Sequence, residues 1–439
     1  MNNKKHIHLK VLSPLCIGND QAETLSPYTD FVVSEEEDQI HYIDKREFEF
    51  ALVSQNRVDE FAQQISGNID NNRSLFRLRE FITHTLAYEL EEISRQTLPN
   101  FGVRNGERQQ IKATLKSGSQ PYISGSTLKG AIRTALLHHW LETTDEGNKL
   151  MDQGQEFLIQ AYNTINSSKL EYQYNELRDL QSRRKRGQRL ERFELYRMWD
   201  LDKEIKEVIK KLLDESKLFG LINDRDNQRP PISQFLQVSD TVPFGADRLA
   251  IFQAHRVRLA PLNRRGRKGS NIPEPREAII RGSETSFSIG LRPEIQASKL
   301  GHLFAQHPDS LLDIIRKWSK ACIGLELYHL DEAYEMPSKG ARATLREFYG
   351  KLYEGAEKGK TYLRLGRGKT YYENSLGVAL MNYAEDHLSD EDDEQFPPED
   401  FRTFRKYALG VSMRSDLFPI TRSITTIGHQ PMGWVELSV

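Results

Sequence analysis

The stretch "PYISGSTLKGAIRTALL", residues 121–137, constrains the fold more than any other part of the chain. Pro121 and Gly125 punctuate a turn, and Ser126 is a good N-cap for a helix starting there. Leu128, Ile132, Ala135 and Leu136 then recur at helical spacing and form one apolar stripe. A turn that opens directly into a one-sided helix predicts a helix laid on a sheet. Lys129 and Arg133 are four residues apart and share another face of that helix. The first-turn N–H groups, the helix dipole and Lys129 together suit a phosphate. They equally suit an ordinary capped helix with solvated cations, and on general physics both readings stay open.

The rest of the chain alternates strands and helices. In "HIHLKVL", Ile7, Leu9 and Val11 alternate with His6, His8 and Lys10, which predicts a strand with one apolar face. "SPLCIGND" comes next, with Pro14 and Gly18 marking a turn or loop. "FVV", the acidic turn "SEEED" and "QIHYI" read as a hairpin. A helical pattern runs from Val58 to Ile93 through Phe61, Ile65, Leu78, Phe81, Ile82, Leu86 and Leu90. Beyond Leu141, "SRRKRGQRLER" packs six cations between Arg183 and Arg192, ahead of an amphipathic helix carrying Leu201, Ile205, Val208, Ile209, Leu212 and Leu213. That basic stretch reads first as a solvated face, with RNA or partner contact as the alternative. Strand-like pieces resume at "FLQVSD", "AIFQAHRVRLA" and "TSFSIGL", and "NRRGRKGSNIPEP" between the last two has the composition of an exposed loop or hairpin tip. A helical pattern from Leu311 to Trp318 precedes "YLRLGRGKTYYENSLGVAL". "EDHLSDEDDEQFPPED", with nine carboxylates in sixteen residues, is predicted to be a flexible surface loop. The interleaving predicts an α+β protein.

Composition excludes several functions. The chain of 439 residues has a net charge of −2, so no global field drives it onto nucleic acid or membrane, and any polyanion must meet a local patch. Cys16 and Cys322 are predicted to be buried free thiols rather than a disulfide or zinc ligands. The N-terminus lacks an apolar signal core and no apolar run is membrane-length, which predicts a soluble, cytoplasmic protein with no membrane partner. "GKT" at Gly368-Lys369-Thr370 ends like a Walker A loop, but that motif needs a glycine where Leu363 stands. A glycine loop passing close to an RNA backbone, with Arg367 and Lys369 on phosphates, fits better. The chain holds no HExxH, CxxC or GxSxG pattern, so no catalytic residue, metal ligand or cofactor is assigned.

These motifs together carry a family resemblance. "PYISGSTLKGAIRTALL" resembles the "PYIPGSSLKGALR" segment of the RAMP proteins, the RNA-recognition-motif-like subunits of type III CRISPR effector complexes. "LSPLCIGN" resembles their first glycine loop and "YLRLGRGKTYYENSLGVAL" their C-terminal glycine-rich motif, in the family's order. The combination resembles the RAMP subunit of the type III-A (Csm) complex that caps the crRNA 3′-end side of the filament. Two departures are Ser124, where the family usually has proline, and the large charged insert after the elbow helix.

The resemblance implies an RRM-like, ferredoxin-like βαββαβ core with large helical and loop insertions, leaving room for a second, degenerate RRM-like lobe. The expected division is 1–140 as the N-terminal core with a helical insertion at about 55–95, 141–235 as a charged helical insertion, and 236–439 as the rest of the core. The last part would carry a basic loop at 261–275, the glycine-rich motif at 362–380 and the acidic loop at 385–400. The RNA-binding residues it implies are Gly18 and Asn19, then Gly125, Ser126, Thr127, Lys129 and Arg133, then Gly366, Arg367, Gly368 and Lys369. Arg264, Arg265, Arg267 and Lys268 are added as a candidate hairpin contact that no motif secures. Implied partners are crRNA, target single-stranded RNA, other RAMP subunits of the Csm complex and a host nuclease that trims the crRNA. The slicing subunits of the superfamily carry a catalytic Asp before the elbow. Asp30 is the nearest candidate here, but its distance from Gly125 marks it as structural. A non-catalytic capping subunit is therefore expected, with a metal-dependent endoribonuclease as the alternative.

Overall fold

The alternation in Lys5–Val11 produces the strand it predicts: Ile7, Leu9 and Val11 are at most 1% exposed, while His6, His8 and Lys10 face solvent. The computed structural model describes residues 4–18, 24–71, 76–104, 109–145, 147–149, 151–152, 168–212, 236–259, 273–292, 308–333, 339–374, 378 and 421–439. Strands in chain order are β1 (Lys5–Val11), β2 (Thr24–Leu25), β3 (Phe31–Val33), β4 (Gln39–Ile43), β5 (Ser94–Phe101), β6 (Ile111–Lys112), β7 (Lys116–Ser117) and β8 (Gln120–Pro121). They continue as β9 (Leu236–Val238), β10 (Leu249–Arg258), β11 (Glu274–Ile279), β12 (Glu284–Leu291), β13 (Thr361–Arg364), β14 (Thr421–Thr425) and β15 (Trp434–Ser438). The longer helices are α1 (Lys45–Ser54), α2 (Val58–Asn71), α3 (Gly125–Thr143), α4 (Ser168–Lys185), α5 (Arg192–Leu212), α6 (Pro308–Glu332) and α7 (Lys339–Glu357).

The chain forms two compact units, one of residues 1–135, 236–374 and 420–439, the other of 136–235 and 375–419. In the first, β1 lies at the centre of a five-stranded sheet ordered β13-β15-β1-β12-β9, with every neighbouring pair antiparallel. In chain order β1, α3, β9, β12 and the pair α6–α7 supply the expected βαββα sequence. The next strand, β13, does not take the place beside β1; the C-terminal β15 does, pairing Leu9 with Leu437, and β13 lies outside it. Because each pairing is antiparallel, β1, β9 and β13 run the same way, and the loops that leave them emerge at one end of the sheet. Helix α3 keeps its predicted stripe, with Leu128, Ile132, Ala135 and Leu136 fully buried.

A second sheet in the same unit runs β2-β6-β11-β10-β5-β4-β3, with β14 also on β10. It contains the predicted hairpin, Phe31 opposite Tyr42. Its strand order differs from that of the first sheet. The helical insertion begins earlier than the pattern suggests, because Asp44 caps α1 by accepting from the Arg46 N–H at 2.9 Å. Phe48 and Leu52 of α1 join the predicted Leu78, Phe81, Ile82, Leu86, Leu90 and Ile93 in one buried cluster. Helix α7 is also additional, burying Ala341, Leu345, Tyr349, Leu352 and Ala356 at spacings of three and four.

The basic loop expected at 261–275 ends sooner, because Glu274 and Pro275 already belong to β11, antiparallel to β10. Arg264, Arg265, Arg267 and Lys268 lie outside the described residues, as do Asn19 and the acidic tract 385–400. In the second unit, α4 and α5 pack as an antiparallel hairpin, burying Leu177, Leu180, Met198, Leu201 and Ile205. Pairs of Arg183 with Glu194 (2.7 Å) and Arg197 with Glu176 (3.2 Å) link the two helices. Among the described residues no helix is long and apolar enough to cross a membrane. Cys16 and Cys322 are free and buried as expected, and burial raises both thiol pKa values.

Candidate nucleic-acid interface

The elbow docks on the segment just after β9. The Ile123 N–H donates to Thr241 Oγ1 at 2.9 Å, and the Thr241 N–H returns to the Ile123 carbonyl at 3.0 Å. The N-cap is Ser124 rather than the expected Ser126: Ser124 Oγ accepts from the Thr127 N–H at 3.3 Å, and its carbonyl from Leu128 at 3.2 Å. The hydroxyls of Ser126 and Thr127 both hydrogen-bond Ser124 Oγ, within 3.0 Å. The Gly125 N–H donates to Asp240 Oδ1 at 2.6 Å. Two of the first-turn donors expected to face a phosphate are therefore held by the protein, and a carboxylate sits at the positive end of the helix. The elbow's first task is to fasten α3 to the sheet, leaving Ser126 exposed at its tip. Lys129 is partly buried. Arg133 is half-buried; burial lowers its pKa, and its Nε has no partner among the described residues.

The two glycine loops, about 350 residues apart along the chain, meet as one structure. Gly366 takes a left-handed φ of 66°, which lets the Arg367 N–H reach the Cys16 carbonyl at 3.2 Å. The Arg367 guanidinium then lies against Gly18, where a Cβ would overlap Arg367 Nε. Gly368 packs so closely on the Met432 carbonyl that a Cβ would overlap it. A third segment completes the set: the Leu365 N–H donates to the Gly433 carbonyl at 2.7 Å, and Gly433 to Pro14 at 3.0 Å. Sequence reasoning missed this "PMGW" segment, although its proline and glycine are turn signals.

Main-chain bonds join this cluster to the elbow. The Leu115 N–H donates to Ile17 at 2.8 Å and the Tyr122 N–H to Leu115 at 3.2 Å, so loops 13–18, 114–122 and 365–369 form a continuous belt at one end of the sheet. Four of the expected residues, Gly18, Gly366, Arg367 and Gly368, are thus brought into contact. Arg367 is exposed. Lys369 is partly buried, and that burial lowers its pKa against the opposing pull of Glu373.

Under the belt is a buried ion set that joins Arg364 and Glu373 of the glycine-rich motif to two distant residues, Glu326 and Arg422. Arg364, fully buried, lies 2.8 Å from Glu373 and 3.5 Å from Glu326, beneath the Trp434 ring at 5.5 Å. Arg422 meets Glu326 at 2.6 Å and His329 Nδ1 at 3.2 Å. Glu373 also accepts from the Thr370 N–H and hydroxyl, which holds the end of the 365–369 loop. Arg364 lowers the Glu373 pKa despite burial, so the pair remains ionised.

The RAMP superfamily sequence model matches residues 8–371. The chain belongs to the RAMP superfamily. Its fold is similar to that of a chain in the cryo-EM structure of a Csm-crRNA-target RNA ternary complex of a type III-A CRISPR-Cas system, at TM-score 0.63 and 21% identity, covering 98% of this chain and 99% of that one. It is also similar to the crystal structure of T.onnurineus Csm5, at TM-score 0.54 and 20% identity, again covering 98% and 99%. No curated protein matches the chain. This RAMP protein therefore shares its fold with type III-A Csm subunits over nearly its whole length.

Proposed function

We propose that this RAMP protein is a crRNA-binding subunit of a type III-A CRISPR effector complex, capping the crRNA 3′-end side and supporting its maturation and the assembly of the particle. The observation that carries the reading is the belt, in which loops from three distant parts of the chain meet at one sheet end with Arg367 exposed. Glycines there let the loops interlock and leave the Arg367 guanidinium at the surface over Gly18, where it can meet a sugar-phosphate backbone regardless of base sequence. Gly18, Ser126, Thr127, Lys129, Arg367 and Lys369 would track that backbone. Pairing between crRNA and target RNA would then supply specificity. Other RAMP subunits are the neighbours, a host nuclease trims the crRNA, and the particle acts in the cytoplasm.

The subunit is non-catalytic in this reading. Asp30 is buried, accepts from the Ser26 N–H at 2.7 Å and lies 3.1 Å from Lys45, so its carboxylate stabilises its own turn. The test is co-expression with the other Csm subunits and a CRISPR array. The expected result is co-purification with crRNA, and target cleavage that survives Asp30→Ala. An RNA-free monomer under those conditions would refute the reading, and loss of one cleavage product in Asp30→Ala would make the chain a nuclease.

A further inference from the structure

The packing of the α4–α5 hairpin leaves one of its faces unexplained. On α5, Met198, Leu201 and Ile205 face inward. On the opposite side, at spacings of four, three and four residues, stand Arg192, Tyr196, Trp199 and Lys203, all exposed. Trp199 is 53% and Tyr196 51% exposed, with Phe193 beside them at 72%. The other three tryptophans, Trp140, Trp318 and Trp434, are at most 2% exposed. The outer rings are ordered: Tyr196 and Trp199 meet edge-to-face at 5.7 Å, and the Arg192 guanidinium lies 5.9 Å from the Tyr196 centroid. The adjoining turn exposes Arg184, Lys185, Arg186 and Arg189, for which the described residues offer no acidic partner. Among the described residues, Arg183 of that run is paired with Glu194, at 2.7 Å. A cleft of about 490 Å³, lined by Arg184, Gln188, Arg189, Arg192 and a single acid, Glu191, together with Leu190 and Leu195, opens at the same turn.

We propose that this hairpin is a second contact for single-stranded RNA, built from residues other than those of the belt. Four cations beside exposed flat rings match the alternation of phosphate and base along a single strand. The phosphates would lie on Arg184, Lys185, Arg186 and Arg189, and bases would stack on Trp199 and Tyr196, with Arg192 between the two sets. An acidic protein segment would satisfy the charges but leave the rings unstacked, which favours RNA.

The experiment uses the full chain and the fluorescence of Trp199, the one exposed tryptophan of four. Oligouridine of about 12 nucleotides, within the usual site size of single-strand binders, should quench it, and polyglutamate should not. Trp199→Phe keeps a ring and should bind labelled oligouridine as wild type does. Trp199→Ala should bind about ten-fold more weakly, the loss of one base–aromatic stack. Replacing Arg184, Arg186 and Arg189 by Ala should make the slope of log affinity against log salt shallower by about 0.7 per contact. Arg367→Ala should retain the quench, which separates failure of this site from failure of the belt. No quench, equal quenching by polyglutamate, wild-type binding by Trp199→Ala, or loss of the quench in Arg367→Ala would each overturn the proposal.

Discussion

Arg367 is exposed while its guanidinium lies against Gly18, so its placement depends on the absence of a side chain there. The two glycines of the belt should therefore respond differently to a methyl group. At Gly18 the obstacle is the far end of a flexible side chain, which can swing away. Gly18→Ala should keep its melting temperature but displace Arg367, weakening RNA binding as Arg367→Ala does, with a salt slope shallower by about 0.7. At Gly368 the obstacle is the Met432 carbonyl, which cannot yield without moving the third loop. Gly368→Ala should lose about 1–3 kcal/mol of stability by overpacking. Thermal melts beside salt titrations check the contrast; equal melting temperatures for the two variants would count against the interlocked loops. Lys129 and Arg133 differ in a similar way. A four-residue spacing puts both on one helix face, but only the tertiary fold sinks Arg133, so Arg133→Ala should cost stability as well as charge.

Among the elements, the legible ones are those with local periodicity. β1 repeats at two residues and the stripe of α3 at 3.6, and each forms as the pattern requires, while the β3–β4 hairpin is legible from its acidic turn between two short apolar runs. Helix α7 carries an equally readable pattern, Ala341, Leu345, Tyr349, Leu352 and Ala356, which its many interspersed charges obscure. The buried ion set was illegible for a physical reason: Arg364 and Glu373 stand nine residues apart in the glycine-rich motif, but Glu326 and Arg422 come from distant segments, and nothing local distinguishes the four from surface charges. Removing one partner of such a buried set leaves an uncompensated charge, so Glu373→Gln should cost about 3–5 kcal/mol. It should also free the 365–369 loop, seen as faster amide exchange at Arg367 and Gly368. His138 gives α3 an acid sensitivity. Burial pulls its pKa down to about 4, outweighing Glu142 at 3.2 Å. The unfolded chain, with its ordinary value of 6.5, takes up the proton first on acidification. The neutral imidazole thus costs nothing above that value, and a loss on the order of 3 kcal/mol develops as pH falls from there to about 4. His138→Leu should flatten that part of the stability–pH curve, and an unchanged curve would exclude His138 as its source.

For the whole molecule the governing number is the net charge of −2. Sixty-one cations against sixty-three acids give no long-range attraction for RNA, so binding must come from a few local clusters. The belt offers Arg367 and partly buried Lys129 and Lys369, and many other described cations are spent internally, as Lys116 is on Glu277 at 2.8 Å. Each phosphate contact on a single strand contributes about 0.7 to the salt slope, so the belt alone should give about −2, and the belt with the four hairpin cations about −5 for the isolated chain. Its affinity for RNA at physiological salt should then lie in the weak, non-specific range, about 10⁻⁴ to 10⁻⁶ M. In the proposed particle the same contacts would become effectively intramolecular, because neighbouring subunits would already hold the strand nearby, and modest contacts would suffice to retain it. Filter binding of the isolated chain across a salt series, beside crRNA retention by the reconstituted complex, separates these regimes. Nanomolar binding by the isolated chain, or a slope as steep as about −7, would mean a larger cationic surface than the described residues provide, and the subunit would then recruit RNA on its own.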